Sequence, residues 1–200
     1  MKIAVIGSTG GNGRLILKEA TRRGHEVTAF ARRAASLAKV SGLSNIVEGD
    51  GRDRAALERA VAGQQAVIMV VGGEHDVIAG IARPLTEVME SLGVSRLVGA
   101  SAYGLVAKRP YVLASLVRRI FRTTFADQLA ADHHIEASDL DWTILRATRL
   151  TNGAARRPAR LSTALFTSGP YSVSRAAYAS ALLDLAESRA HSRQIVNITG

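Results

Sequence analysis

The sequence predicts an α/β fold: a single doubly wound parallel sheet with helices on both faces. Three observations carry that prediction. Short apolar runs alternate with longer segments of helical periodicity along almost the whole chain. The runs are mostly apolar instead of alternating strictly with polar residues, as in strands covered on both sides. The first run also ends in three glycines, Gly7, Gly10 and Gly13, where a helix-like pattern begins.

Taken in order, residues 2–6 ("KIAVI") form the first strand, and residues 12–23 place Leu15, Ile16 and Ala20 on one helical face. Residues 26–31 are the second strand and 45–49 the third, followed by a helix from about Asp53. Residues 66–71 ("AVIMVV") are the most apolar run and the fourth strand. A helix over 77–92 leads to a fifth strand at 96–101, and a helix over 127–138 leads to a sixth at 141–146. A last helix at 174–188 and a short strand at 195–198 complete the series. Short connections between such units make a parallel sheet flanked by helices the economical architecture. No linker or repeat interrupts residues 1–200, so one domain is expected, with a small substrate-side portion over about 147–200. Residues 104–125 ("GLVAKRPYVLASLVRRIFRTTF") fit the series poorly, because Pro110 blocks a continuous helix. They read either as a packed amphipathic helix or as a mobile lid or membrane-surface helix.

Composition narrows the function. With 47% apolar residues the chain can fill a sizeable core. It has no cysteine, which excludes disulfides, thiolate metal sites and a cysteine nucleophile. The short apolar start runs into glycines and a charged helix, unlike a secretory leader, so a cytoplasmic setting is expected. No stretch reaches the ~20 apolar residues that span a bilayer. The net charge of +9 attracts anions. Its basic residues gather in two groups: Lys108, Arg109, Arg118, Arg119 and Arg122, then Arg146, Arg149, Arg156, Arg157 and Arg160. Each group reads either as a solvated surface or as a lining for an anionic ligand. No nucleic-acid-binding motif accompanies the charge. His133 and His134 are adjacent, so on a helix they diverge by ~100° and make a poor metal pair. No metal site is expected.

The glycines carry the chemistry. Between a strand and a helix, Gly7-x-x-Gly10-x-x-Gly13 allows a tight turn, close approach of a pyrophosphate and close strand–helix packing. The helix N-terminus adds free N–H groups and a partial positive charge, and Ser8, Thr9 and Asn12 can add hydrogen bonds or shape the turn. This is the phosphate turn of a Rossmann-type dinucleotide site. A site that prefers NAD carries an acid at the end of the second strand. Here that place reads Arg32-Arg33, and a guanidinium forms charge-assisted bonds to a 2′-phosphate, so NADPH (NADP+) is the expected cofactor.

The stretches "GSTGGNG", "EGDGRD" and "LDWTILRATRLTNG" resemble the atypical short-chain dehydrogenase/reductases. Within them the chain is most similar to the NAD(P)H-binding group of flavin reductase (biliverdin-IXβ reductase) and the NmrA-like nitrogen-metabolite-repression regulators. The late "SVSRAAYASALLDL" is similar to that group's final helix, so the likeness covers nearly the whole chain. It implies that Gly7, Ser8, Thr9, Gly10, Asn12 and Gly13 hold the diphosphate and that Arg32, with Arg33, holds the 2′-phosphate. It puts Asp50 and Gly51 beside the adenine, Gly72 and Gly73 along the ribose, and Ser101 next to the nicotinamide. Strand carboxyl ends are also where open α/β sheets bind ligands.

Two departures matter. The better-known members use Tyr-x-x-x-Lys for proton transfer, but the residue four after Tyr103 is Ala107, and Lys108 lies one further on. Where the group usually has Arg-Pro-Pro after strand six, this chain has Arg146-Ala147-Thr148. Ser101 and Tyr103 are the catalytic candidates that remain. The expected function is an NADPH-dependent reductase that passes hydride to a small delocalised aromatic acceptor. The alternative is an NADP(H)-binding redox-sensing regulator without turnover that acts through a protein partner. Neither nucleic acid nor stable membrane insertion is expected, and the protein is expected to be a monomer or homodimer.

Overall fold

The strands alternate with helices as the sequence predicts, and the strand order turns them into a crevice. The computed structural model describes residues 1–73, 76–107, 116, 119–153 and 158–200. Most of the 104–125 segment before Arg119 lies outside them, as do Lys108, Arg109, Arg118, Arg156 and Arg157 of the basic groups.

The main sheet contains β1 (Lys2–Ile6), β2 (Glu26–Ala31), β3 (Asn45–Glu48), β4 (Ala66–Met69), β5 (Arg96–Ala102), β6 (Asp141–Ala147), β8 (Arg160–Ser162) and β10 (Gln194–Thr199). Its order is β3-β2-β1-β4-β5-β6-β10-β8. All neighbours are parallel except β8, which runs antiparallel to β10. A separate parallel pair joins β7 (Arg149–Thr151) to β9 (Ser172–Ser174). Order reverses between β1 and β4, which opens a crevice above their carboxyl ends.

The apolar runs are explained by packing on both faces. Ile3, Val5, Val98, Leu145 and Val196 join one buried cluster with α1 (Gly11–Arg22) and α5 (Arg175–Ser188). Ala4, Ile6, Val67, Leu97 and Ile144 join the other, with α2 (Arg54–Val61), α3 (Val77–Ser91) and α4 (Arg122–Ala137). Fully burying each such aliphatic side chain contributes ~1.5–3 kcal/mol.

Helix α4 and three short strands differ from expectation for physical reasons. Helix α4 begins at Arg122, five residues before the predicted start, and its inward face is mixed: Asp127, Gln128 and Asp132 are buried beside Ala131 and Ile135. The Asp127 carboxylate accepts from Ile78 N–H and Ala79 N–H at 2.9 Å each, capping α3 from outside. The strands β7, β8 and β9 were not expected at all. Each has only three residues, and none of the three carries an uninterrupted buried apolar run.

Candidate functional site: a cleft at the switch point

The three glycines of the first turn do different jobs. Gly7 has φ +91, and a Cβ on it would stand 2.6 Å from the Val70 carbonyl oxygen. A Cβ on Gly13 would stand 2.3 Å from the Gly7 oxygen. These two let β1, β4 and α1 close on one another. Gly10 is extended (φ −67, ψ 166). A Cβ there would meet only the Gly7 oxygen, at 3.6 Å. Its open side faces a cleft of about 370 Å³. Helix α1 has no side-chain N-cap and no acid in its first turn, so its leading N–H groups are left for an anion.

The side chains of the turn are placed as follows. Ser8 is fully buried, and its hydroxyl donates to the Phe30 carbonyl at 2.6 Å, fastening the turn to β2. Its hydroxyl thus shapes the turn and does not face the cleft. Thr9 lines the cleft, and its carbonyl accepts from Arg14 Nε. Asn12 Oδ1 accepts from Arg175 Nη1 at 3.0 Å, a partner 163 residues away.

Around the cleft, Gly7, Thr9, Gly10, Arg32, Asp50, Gly51 and Gly72 come together from four strand ends. Arg32 is exposed at the end of β2. Arg33 is exposed too, but does not line the cleft; its carbonyl accepts from Ser36 as a short 3-10 turn begins. A Cβ on Gly51 would run into Ile81 at 2.8 Å, and one on Gly73 into Val77 at 2.8 Å, so both serve packing of the wall. Gly72 is open, with nothing near its Cβ position. Arg52, within the quoted "EGDGRD" stretch, was missed by sequence reasoning. It lines the cleft, takes its place through Asp50 Oδ1 (2.9 Å from its N–H), and donates from Nη2 to the Asp76 carbonyl at 2.8 Å.

At the ends of β5 and β6 lies a buried polar cluster. Ser101 and Arg146 are in register on neighbouring strands. Both reach Asp132 Oδ2: the Ser101 hydroxyl donates at 2.9 Å and Arg146 Nη2 at 3.0 Å. Gln128 Nε2 donates to Asp132 Oδ1 at 3.0 Å. Asp132 is fully buried. Burial pushes its carboxyl above the ordinary range, opposed by the ion pair with Arg146 and the bonds from Ser101 and Gln128. Arg146 therefore does not belong to a solvated basic surface. It is buried, and its Nε has no partner among the described residues. His133 and His134, beside Asp132, are both exposed.

Tyr103 is buried as well. Its hydroxyl accepts from the Phe166 N–H at 2.8 Å and lies 3.4 Å from the Phe166 carbonyl; the two rings meet at a tilt of 43°, centroids 5.3 Å apart. Arg160 stands over the Phe166 ring at 5.0 Å. Neither candidate hydroxyl is unengaged.

Together the cleft has the parts a dinucleotide needs: an uncapped helix end, a glycine whose missing Cβ leaves space, an exposed cation and an apolar wall. The fold is shared with a Rossmann-fold NAD(P)-binding family protein from Shigella flexneri (24% identity, TM-score 0.78, 99% of this chain and 92% of that one). It is shared with ChuY, an anaerobilin reductase from Escherichia coli O157:H7 (23%, 0.85, 100% and 97%). A short-chain dehydrogenase/reductase from Veillonella parvula, solved with NADP, is also similar (19%, 0.83, 100% and 94%). A family model described as NAD(P)H-binding matches residues 7–189, and the chain belongs to that NAD(P)H-binding family.

Proposed function

We propose that the protein is an NADPH-dependent reductase that passes hydride to a delocalised aromatic acceptor such as a flavin, a quinone or a related polycyclic compound. Arg32 carries this reading. It lines the cleft at the end of β2, where an acid would select NADH, and its guanidinium suits a 2′-phosphate. Gly7, Thr9, Gly10 and the end of α1 would hold the diphosphate; Asp50 and Gly51, with Arg52 and Ile81, would hold the adenine side. Gly72 and Gly73 would pass the ribose, and Ser101 would stand near the nicotinamide. NADPH supplies the hydride.

The rest follows from the protein's own groups. Reducing a plain ketone makes an alkoxide, which calls for a positioned acid. The Ser101 proton points to Asp132, and the Tyr103 hydroxyl is held by the Phe166 backbone. Reduced flavins and quinones spread charge over a ring and take a proton from water, so positioning suffices. Arg160, exposed and held over the buried Tyr103–Phe166 pair, would offer a cation to such a ring. We assign the substrate side to residues within 147–200, and the working form to a cytoplasmic monomer or homodimer. The reductase named among the similar folds supports the reading.

The test is NADPH oxidation by the purified protein against flavins, quinones and aliphatic ketones. Turnover of the first two and not of the ketones is expected. One observation favours a second reading, a redox-sensing regulator acting through a protein partner: both hydroxyls at the strand ends are engaged within the chain. Tight NADPH binding with no acceptor turned over would select it.

A further inference from the structure

We propose that Arg175, the first residue of α5, is a positioning residue for the cofactor's diphosphate; this rests on the dinucleotide reading of the cleft. Its guanidinium makes two bonds to distant side chains. Nη1 donates to Asn12 Oδ1 at 3.0 Å, in the first turn of α1, and Nε donates to Asn152 Oδ1 at 3.1 Å, just past β7.

The Asn12 bond fixes which way that amide faces. An arginine has donors only, so the atom it meets must be the amide oxygen. The Asn12 NH2 is then turned away from Arg175 and has no partner among the described residues. It stands beside leading N–H groups of α1 that lack a cap. Arg175 Nη2 is likewise without a partner among the described residues. Helix end, amide and guanidinium therefore gather at one turn, all of them donors. Arg175 is not needed to cap its own helix, because the Ser174 hydroxyl already accepts from Ala177 N–H at 3.1 Å. Through Asn152 the same side chain ties the strand pair β7–β9 to the phosphate turn.

A group that acts on the diphosphate acts on what NADPH and NADH share. Arg175→Met is expected to weaken both by about tenfold in a fluorescence titration, leaving their ratio unchanged. Arg32→Ala, by contrast, should weaken NADPH alone. Adenosine, which lacks phosphate, should bind Arg175→Met as it binds the wild type. Asn12→Ala should reproduce the loss, and the double variant should be no worse than the stronger single one. Arg175→Lys, which keeps the charge but loses the separate Nε and Nη1 donors that reach the two amides, should fall between. Wild-type affinity for both nucleotides in Arg175→Met would overturn the proposal, as would an equal loss for adenosine, the mark of a merely structural role. Binding of neither nucleotide by the wild type would instead overturn the dinucleotide reading beneath it.

Discussion

Gly10 and Gly13 are three residues apart in one turn, and a side chain would do different damage at each. At Gly10 the backbone is extended and the space beyond it is the cleft, so Gly10→Val should fold normally and lose NADPH binding. At Gly13 even a methyl group meets backbone at 2.3 Å, so Gly13→Ala should cost about 1–3 kcal/mol of stability. Melting curves of the two apoproteins, with an NADPH titration of the first, check both outcomes. Tyr103 and Ser101 separate in a similar way. Tyr103→Phe leaves the buried Phe166 N–H without its partner, which costs ~1–3 kcal/mol of stability, yet should lower kcat less than about tenfold. Ser101→Ala should lower kcat more, because Ser101 stands at the strand end beside the expected nicotinamide. Paired melting and steady-state measurements on the two variants decide this. Inactivity of Tyr103→Phe with NADPH binding intact would restore a tyrosine acid.

Helix α1 is fastened to α5 by charge as well as by apolar packing. Arg23, which caps the C-terminus of α1, donates to Glu19 at 2.9 Å, and across the helix pair to Asp184 at 2.7 Å and Glu187 at 2.9 Å. Hydrogen bonds from Arg22 and then Arg23 hold the Glu19 carboxyl down, from its ordinary 4.5 to about 2, against partial burial. A depressed carboxylate stabilises the fold fully above its unfolded pKa and loses that contribution as pH falls through its folded one. The melting temperature should therefore fall between pH 4.5 and about 2, and Arg23→Ala should flatten that fall. A slope unchanged in the Arg22→Ala/Arg23→Ala double variant would show that the cluster contributes nothing. The same scale explains what the sequence concealed. The inward face of α4 mixes Ala131 and Ile135 with Asp127, Gln128 and Asp132, which cap α3 and bind Ser101, so apolar periodicity could not mark its start. The sequence left Arg146 between a solvated surface and a lining for an anionic ligand, because composition carries no information about burial. Arg175 was invisible as a site residue, since its partner Asn12 is brought near only by the packing of α1 on α5.

Across the whole molecule, the inner strands β1, β2, β4, β5 and β6 were legible because burial on both faces leaves each a mostly apolar run, whereas β3, at the sheet edge, buries only Val47. The cleft was legible because glycines at a strand–helix junction have few other uses, and Gly7, Thr9, Gly10, Arg32, Asp50, Gly51 and Gly72 do meet there. Arg52 and the Asp132 cluster were not legible, because they depend on which loops face one another. The central claim is that this cleft binds NADPH by its 2′-phosphate through Arg32. Titration of the purified protein with NADPH and NADH, followed by fluorescence, tests it most directly. A charge-assisted pair with phosphate contributes ~1.5–3 kcal/mol, so NADPH should bind at least about tenfold tighter, and Arg32→Ala should abolish the difference. Equal affinities for the two nucleotides, or undiminished discrimination in Arg32→Ala, would contradict it.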